Sequence, residues 1–139
     1  MDITAALDLA RTTSHSVLVT LRGNGRPQLS NVLHSVDDEG TVRVSITTDR
    51  AKYKNLSREP WAALHVTRQD FWAWVVLEGE VELSPPAAAK LDDATVEELV
   101  EHYRRLRGEH EDWDEFRQAQ ITEQRVMVRL RPTRAYGML

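Results

Sequence analysis

Two cationic side chains, Arg50 and Lys52, stand where a predicted strand ends and a short helix begins. The first residues of a helix present free backbone N–H groups and favour anions. Ser45 and Thr47 add hydroxyl donors, and an arginine fork with a lysine charge suits a phosphate. The segment therefore predicts a phosphate site. The alternative is a capped helix with solvated basic residues, and Asp49 fits the phosphate site only if its carboxylate points away as a cap.

Polar side chains also alternate along the segment Gly25–Val32. Gln28 and Ser30 lie on one face of a predicted strand, and Asn31 lies on the other. Amides and hydroxyls inside a barrel need hydrogen-bond partners, and the pyrimidine edge of a flavin-like ring offers them. The alternative is an edge strand beside a turn, with these side chains in solvent.

Two tryptophans occur in the segment Phe71–Leu77. If this segment is strand throughout, Trp72 and Trp74 share the face opposite its apolar residues. Large aromatic side chains on that face need cover. A partner subunit, a planar ring or the later helices would each provide it.

The remaining motifs restrict the chemistry further. The chain has no cysteine, which excludes disulfides, thiolate metal sites and a cysteine nucleophile. His102 and His110 form no HExxH pair and are predicted to be surface residues, so no metal site is expected. His15 and His34 lie near strand ends, where either is a candidate proton donor. Gly23-Asn24-Gly25 leads into a strand and predicts a tight turn rather than a dinucleotide site.

Net charge and hydropathy bear on the partners of the protein. The formal net charge is −4, whereas a nucleic-acid binder usually carries a basic excess. No stretch approaches the roughly 20 apolar residues of a membrane span, and the N-terminus lacks the basic and apolar regions of a signal peptide. We therefore expect a cytoplasmic protein whose partners include neither nucleic acid nor membrane.

The elements that position these residues follow from periodicity and turn residues. Strict alternation over Thr41–Thr47 predicts a strand, and the period changes to that of a helix over Ala51–Arg58. The predicted strands are Ser16–Arg22, Pro27–Val36, Thr41–Thr47, Trp61–Thr67, Phe71–Leu83 and Arg125–Leu130, and the predicted helices are Thr4–Ala10, Ala51–Arg58, Ala87–Arg107 and Trp113–Glu123. Strands joined by turns, with most helices late, predict one mostly β domain over residues 1–139. We expect an antiparallel barrel of about six strands with peripheral helices.

Five motifs, taken in order, resemble those of the pyridoxamine-5′-phosphate-oxidase-like split barrels. They are GRPQLSNV (25–32), RAKYKNL (50–56), EGEVELSPP (78–86), GEHEDWDEFRQAQITEQRV (108–126) and the closing Ala135-Tyr136-Gly137. Within that family the chain is similar to the actinobacterial flavin/deazaflavin oxidoreductases that bind coenzyme F420. The resemblance implies an FMN-binding split-barrel fold and a homodimer with two cofactor sites at its interface.

The same resemblance implies roles for particular residues. Arg50 and Lys52 would clamp the cofactor phosphate, the β strand over 25–32 would line the ring, and the tryptophans would contact the cofactor across the dimer. The cofactor-binding residues implied in this way are Gln28, Ser30, Asn31, Ser45, Thr47, Arg50, Ala51, Lys52, Asn55, Trp72 and Trp74. No catalytic side chain is implied.

The implied activity is hydride transfer between F420 and an unsaturated organic substrate. Three alternatives stay open: FMN in the same site, a dimer that binds or carries F420 without turnover, and a haem-binding split barrel. Pyridoxamine phosphate oxidases themselves carry additional Arg and His residues near the C-terminus. The segment Arg131–Leu139 contains no His, which argues against vitamin B6 oxidation.

Overall fold

The computed structural model describes all 139 residues, which form four helices and seven strands. The helices are Ile3–Ala10 (α1), Ala51–Arg58 (α2), Ala94–Arg107 (α3) and Trp113–Thr122 (α4), and the strands are His15–Leu21 (β1), Pro27–Leu33 (β2), Ser35–Val36 (β3), Val42–Thr47 (β4), Trp61–Thr67 (β5), Trp74–Leu83 (β6) and Arg125–Met138 (β7). The protein is mostly β with peripheral helices, as predicted. Seven strands replace the expected six because the segment 27–36 divides at His34. No helix combines the length and the apolar character that crossing a membrane requires.

All seven strands belong to one antiparallel sheet in the order β2-β1-β5-β6-β7-β4-β3. Its two outermost strands, β2 and β3, are separated along the chain by the single residue His34. One residue spans at most about 3.6 Å, so the two edges of the sheet must come together at this point. The sheet is therefore curled on itself, which confirms the predicted split-barrel class.

Alternation along the strands gives the barrel its apolar interior. In β4, Val42, Val44 and Ile46 are buried inside, whereas Ser45 and Thr47 face outward. One face of α1 belongs to the same cluster of 19 buried residues. Each buried Val, Leu or Ile stabilises the fold by about 1.5–3 kcal/mol, so this cluster fixes the positions of the outward side chains.

The strand β6 begins later than predicted. The expected strand Phe71–Leu83 starts at Trp74, because the preceding residues form a turn. In that turn the N–H of Phe71 donates to the Arg68 carbonyl, and the N–H of Arg68 donates to the Ala73 carbonyl, both at 2.8 Å. Strand alternation therefore does not apply to the first part of the segment.

The strand β7 ends later than predicted. We expected it to end at Leu130, but it passes through Pro132 and reaches Met138. Pro132 lies opposite Gly79, where the register between β6 and β7 is interrupted, and β4 pairs with β7 only as far as Leu130. No ladder hydrogen bond requires an N–H at Pro132, which is why the strand tolerates it.

We predicted that the helix α3 begins at Ala87, but it begins at Ala94. The Asp93 carboxylate caps the helix by accepting a hydrogen bond from the Val96 N–H at 3.1 Å. Its second oxygen accepts from the N–H groups of Ala88 and Ala89, at 2.8 and 2.9 Å. These bonds hold the preceding segment in a non-helical conformation.

Candidate cofactor site

Three cationic side chains come together where β4 ends and α2 begins. Arg50 precedes α2, Lys52 lies in its first turn, and Arg125 opens β7 opposite Thr47. Burial lowers the pKa of Lys52 below its ordinary value, and the charges of Arg50 and Arg125 lower it further. Arg50, Lys52 and Arg125 are the cationic cluster. An anion bound among them relieves their mutual repulsion.

The N-terminus of α2 is open beside the cationic cluster. Arg50 is the N-cap residue, and its side chain makes no capping hydrogen bond. The backbone N–H groups of Ala51 and Lys52 have no protein acceptor, so both are available to an anion. Asp49, the alternative cap, instead accepts a hydrogen bond from the Thr47 hydroxyl, which lowers the pKa of the Asp49 carboxyl. No side chain therefore caps α2, although Arg50 is exposed to solvent as the alternative interpretation expected.

The hydroxyl groups predicted for the site contribute unequally. Ser45 accepts a hydrogen bond from Arg125 Nη1 at 3.3 Å and keeps its own O–H available. The Thr47 hydroxyl hydrogen is used by Asp49. Glu123 Oε1 also holds Arg125, by accepting from its Nε and Nη2 at 3.0 and 2.9 Å. Ser45 is therefore the hydroxyl placed to donate to an anion.

Asn55 lies within the protein rather than at this open surface, and the half-buried Gln28 is bonded to it. Asn55 is 6% exposed, and its Nδ2 donates to Gln28 Oε1 at 2.8 Å and to Thr20 Oγ1 at 3.1 Å. Its Oδ1 accepts from Arg58 Nη2 at 3.1 Å. This network ties α2 to the hairpin of β1 and β2. In the structure these two amides position α2, and their contact with a cofactor stays a prediction.

Ser30 and Asn31 face opposite sides of β2. Ser30 pairs with Leu18, which is buried, and so it faces the barrel interior. Asn31 pairs with Val17 and is exposed. Of the residues predicted on β2, Asn31 is the one that borders open space.

Asn31 lies at the junction of two cavities. One, of about 920 Å³, runs along the start of β1 and the end of β5. The other, of about 460 Å³, is lined by Lys52 and Arg125 of the cationic cluster. Both cavities are bordered by Asn31 and Val32. The two cavities are therefore neighbours along β2 at Asn31 and Val32.

A third cavity, of about 430 Å³, lies beside the turn that contains Phe71 and Trp72, which we call the aromatic turn. It shares His65 and Thr67 with the largest cavity and is bordered by Trp72 and Trp74. Of the predicted residues, Trp72 and Trp74 therefore border one outer cavity and Lys52 borders the other, and each of these two cavities shares lining residues with the largest one.

The two tryptophans differ in their placement. Trp74 begins β6 and packs edge-on against Tyr136, with ring centroids 6.1 Å apart, and against His65 at 5.7 Å. Trp72 is 79% exposed and lies in the turn before β6, where Phe71 has a φ of +75°. The prediction that Trp72 and Trp74 share one strand face is therefore wrong, although both border the same cavity.

The prediction that His102 is a surface residue is also wrong. It is 5% exposed, its Nδ1 lies 2.7 Å from Ser35 Oγ, and burial lowers its pKa to about 4. His34 is buried as well, with its ring nitrogens 2.7 Å from Ser16 Oγ and 2.8 Å from the Ala10 carbonyl. Burial also lowers the pKa of His34. Both imidazoles are therefore neutral at pH 7.

The sequence contained a signal for His102 but none for Arg125. His102 continues the three-residue spacing of Val96 and Leu99 along the buried stripe of α3. Arg125 reaches the site only because β7 pairs with β4, and it lies 80 residues from Ser45 along the chain. The structure gathers no three His, Asp or Glu side chains in a way that could hold a metal ion.

Several solved structures share this fold. A protein described as F420 reductase is 24% identical with a TM-score of 0.71, over 93% of this chain and 94% of that one. A conserved hypothetical protein from Mycobacterium tuberculosis is 21% identical with a TM-score of 0.74, over 99% and 84%. A pyridoxamine 5′-phosphate oxidase-related, FMN-binding protein from Nostoc punctiforme is 17% identical with a TM-score of 0.65, over 97% and 81%. At these identities the likeness establishes the fold.

A family profile matches nearly the whole chain. The profile described as pyridoxamine 5′-phosphate oxidase covers residues 4–139. This range includes every strand, the cationic cluster and the aromatic turn. The chain therefore belongs to the pyridoxamine 5′-phosphate oxidase family.

Proposed function

We propose that this protein binds coenzyme F420 and transfers a hydride between this deazaflavin and an unsaturated organic substrate. The observation that carries the proposal is the cationic cluster beside the uncapped N-terminus of α2. Arg50, Lys52 and Arg125 supply positive charge, and the N–H groups of Ala51 and Lys52 supply directed donors. This combination suits the phosphate of a flavin-type cofactor.

The ring of the cofactor would lie along the cavities that begin at Asn31. A tricyclic ring is flat and largely apolar, and the far cavity offers it aromatic walls that include Trp72 and Trp74. The exposed amide of Asn31 supplies both a donor and an acceptor between the two ends. Gln28 and Ser30 would act from inside the barrel, by fixing the strand that carries Asn31.

When bound, the deazaflavin supplies the redox chemistry, because carbon replaces the reactive ring nitrogen of a flavin and favours two-electron hydride transfer. The residues of the chain bind and orient it. His34 and His102 are engaged in buried hydrogen bonds, so we assign neither of them as a proton donor. FMN also carries a phosphate and is the alternative cofactor for this site.

We further infer that the protein is a homodimer and that its partner covers the aromatic turn. Phe71 and Trp72 are 80% and 79% exposed, and Tyr136 and Met138 on the neighbouring strand are 45% and 60% exposed. An apolar patch of this kind is typical of an interface. A second copy placed there would also enclose the cavity beside Trp74. Analytical ultracentrifugation tests the inference, and a monomer at tens of micromolar would contradict it.

The cofactor proposal is tested by titrating the protein with oxidised F420 and, separately, with FMN, while tryptophan fluorescence is followed. We expect F420 to quench the fluorescence and to bind more tightly than FMN. Lys52→Ala should weaken binding roughly 10- to 100-fold, which is the scale for a hydrogen bond to a charged group. Lys54→Ala, an exposed lysine on the same helix, is the matched control. Unchanged affinity in Lys52→Ala would contradict the phosphate assignment, and tighter binding of FMN would favour the alternative cofactor.

Turnover is tested separately from binding. Reduced F420 is mixed with the protein and a panel of unsaturated carbonyl compounds, and the return of oxidised F420 absorbance is recorded. We expect reoxidation with at least one compound. Tight binding without any reoxidation would favour a protein that carries F420 without turnover.

A further inference from the structure

The imidazole of His65 lies at the middle of the outward face of the sheet. Leu64 and Val66, on either side of it in β5, are fully buried in the barrel, so His65 points outward. His65 pairs with Val17 of β1, which in turn pairs with Asn31 of β2. Residues directly opposite each other share one face, and neighbouring strands are about 4.8 Å apart, so the backbones of His65 and Asn31 are roughly 10 Å apart.

His65 borders two of the cavities. The largest cavity, of about 920 Å³, and the cavity beside the aromatic turn, of about 430 Å³, have two lining residues in common, His65 and Thr67. A molecule in either cavity therefore lies beside these two side chains. Of the two, only the imidazole exchanges a proton readily near neutral pH.

The ring of His65 is held in place by packing. It is half-buried and packs against Trp74, with ring centroids 5.7 Å apart, and Trp74 is held in turn against Tyr136. The ring makes no hydrogen bond within the protein. Packing therefore fixes the direction of the imidazole without engaging its nitrogens, which is the placement that a group donating to a substrate requires.

The charged groups near His65 are paired with one another. Arg68 lines the largest cavity, and its Nε and Nη2 each donate to the Asp70 carboxylate at 2.9 Å. On the same face of β6 and β7, Glu78 Oε1 lies 3.8 Å from Arg134 Nε. Neither cavity is lined by an Asp or a Glu. No carboxylate of the chain therefore holds the proton of His65 in an ion pair.

The other four of the five histidines are placed differently. His34 and His102 are engaged in buried hydrogen bonds, and His110 accepts one from the backbone just before α4. His15 lines the largest cavity but not the cavity beside the aromatic turn, and it is exposed at the first residue of β1. His65 is therefore the histidine that both cavities share.

We propose that His65 is the catalytic proton donor of the reaction. This inference rests on the proposed function, because it takes the cofactor ring and the substrate to occupy the two cavities that His65 borders. It names a residue that neither the residue motifs nor the spacing of the sequence indicated.

The proton is needed to complete the reduction. When bound, reduced F420 supplies a hydride, which adds to the β-carbon of an unsaturated carbonyl compound. The electron pair of the C=C bond moves toward the carbonyl oxygen and leaves an enolate on the substrate. Protonated His65 donates its proton to the enolate, which gives the saturated carbonyl compound, and water then reprotonates the imidazole. The proton that F420 loses from its ring nitrogen on oxidation passes to water, so two hydrogens are transferred in sum.

The first experiment tests contact with the cofactor and does not depend on turnover. The imidazole carbon-bound protons are recorded by NMR, and the signal of His65 is identified by its absence in His65→Gln. Oxidised F420 is then added. We expect a change in the His65 signal, because the ring current of an aromatic cofactor acts on protons beside it. The signal of His110, which lines neither cavity, should stay unchanged.

The second experiment measures kcat for the reoxidation of reduced F420 by cyclohexenone, cinnamaldehyde and menadione, between about pH 6 and 9. For the unmodified protein we expect kcat to fall as the pH rises, because the donor must be protonated. His65→Gln and His65→Phe should lower kcat roughly 100-fold at neutral pH, abolish this fall, and bind F420 within a factor of three of the unmodified protein. His110→Gln is the control and should keep both kcat and its pH profile.

Phenylalanine keeps an aromatic ring against Trp74, so His65→Phe separates the loss of the proton from the loss of packing. Retained F420 binding shows that each variant is folded. Three results would overturn the inference and leave the cofactor site standing: an unchanged His65 signal with F420 bound, full activity of His65→Phe, or a loss of activity in His15→Gln but not in the His65 variants. Failure of the unmodified protein to bind F420, or to reoxidise it with any of the three compounds, would overturn the proposed function and this inference with it.

Discussion

Arg125 is the member of the cationic cluster that the protein holds most firmly. Its guanidinium donates to Ser45 and to Glu123, and its side chain is 31% exposed. A side chain already fixed in this way loses less conformational entropy when an anion binds. Arg125 should therefore contribute as much to phosphate binding as Arg50 or Lys52.

We predict that Arg125→Gln weakens F420 binding by roughly tenfold, because it removes one charge and the forked donor from the cluster. Calorimetric titration gives the dissociation constant. Arg131→Gln, at an exposed position on the same strand, should leave the constant within a factor of two. Equal dissociation constants for the two variants would contradict a role for Arg125 in phosphate binding.

Asn55 should affect stability rather than affinity. Asn55→Ala removes the donor to Gln28 and Thr20, and each buried group left unpaired costs about 1–3 kcal/mol. We expect urea denaturation to reveal a loss of this size, and the folded variant to bind F420 normally. A tenfold weaker affinity at unchanged stability would instead mean that Asn55 touches the cofactor.

At the scale of the residue, the site residues that could be predicted from the sequence are those whose positions follow from local spacing. Arg50 and Lys52 could be identified because they flank the start of a short helix, and the structure brings them together. Arg125 could not be assigned in this way, and neither could the bonding partner of His102, although the spacing of His102 along α3 indicates its burial. Their surroundings depend on β4 pairing with β7 and on α3 packing beside Ser35, which are contacts between distant parts of the chain.

At the scale of the element, the pairing of β6 with β7 contains one irregularity that the sheet depends on. Glu78 pairs with Arg134 and Gly79 with Pro132, so Thr133 is the extra residue of a β-bulge. Glycine is the only residue type that fits at position 79, because a Cβ there would lie 2.1 Å from the Arg131 carbonyl oxygen. The bulge allows β7 to continue beyond its proline.

We predict that Gly79→Ala destabilises the fold by about 2 kcal/mol or more, because the new methyl group meets backbone atoms that cannot move aside without breaking the ladder. Urea denaturation at pH 7 measures the change. Gly23→Ala is the control: its Cβ would meet Arg58 Cζ at 3.7 Å, an ordinary contact. Equal stability of the two variants would contradict the importance of the bulge.

Element boundaries were predicted well where the determining residues are local. α2 and β5 have the predicted bounds, since Pro60 separates them and the period changes on either side. The start of α3 and the end of β7 were wrong for a shared reason. Asp93 binds backbone groups several residues before it, and Pro132 is accommodated by the neighbouring strand.

At the scale of the whole molecule, closure of the barrel depends on a seam around His34 and Ser35. His34 links β1 to the end of α1 through Ser16 and the Ala10 carbonyl, and Ser35 binds His102 of α3. The predicted class of fold could be inferred from the order of strands and turns. The seam could not, because it requires knowing that the two edges of the sheet meet at this point.

α3 is also held to the barrel by an ionic network outside the seam. The Glu98 carboxylate accepts hydrogen bonds from Arg129 at 2.6 and 2.8 Å and from Arg43 at 2.7 Å. Burial opposes ionisation of Glu98, but these hydrogen bonds outweigh it and lower its pKa. The contribution of Glu98 is therefore lost only in acid, as pH falls below the ordinary carboxyl range near 4.5.

The seam should make the protein lose stability at a higher pH than the ionic network does. His102 has a pKa of about 4 when folded and about 6.5 when unfolded, so the unfolded chain binds more protons between these values. The stability is complete above pH 6.5 and falls as the pH decreases toward 4. His34, whose pKa is also lowered by burial, acts in the same direction. His102 alone accounts for about 2 kcal/mol between pH 7.5 and 5.

Urea denaturation at several pH values between 7.5 and 5 measures this dependence. His102→Gln keeps an amide beside Ser35 but cannot take up the proton, so we expect it to lose stability at pH 7.5 and to vary less with pH. The slope that remains belongs to His34. His15→Gln, at an exposed position, removes a charge that helps to lower the pKa of His34, so we expect it to change the pH dependence much less than His102→Gln does. If His102→Gln kept the full pH dependence, the buried imidazole of α3 would not be the group that loosens the seam in mild acid.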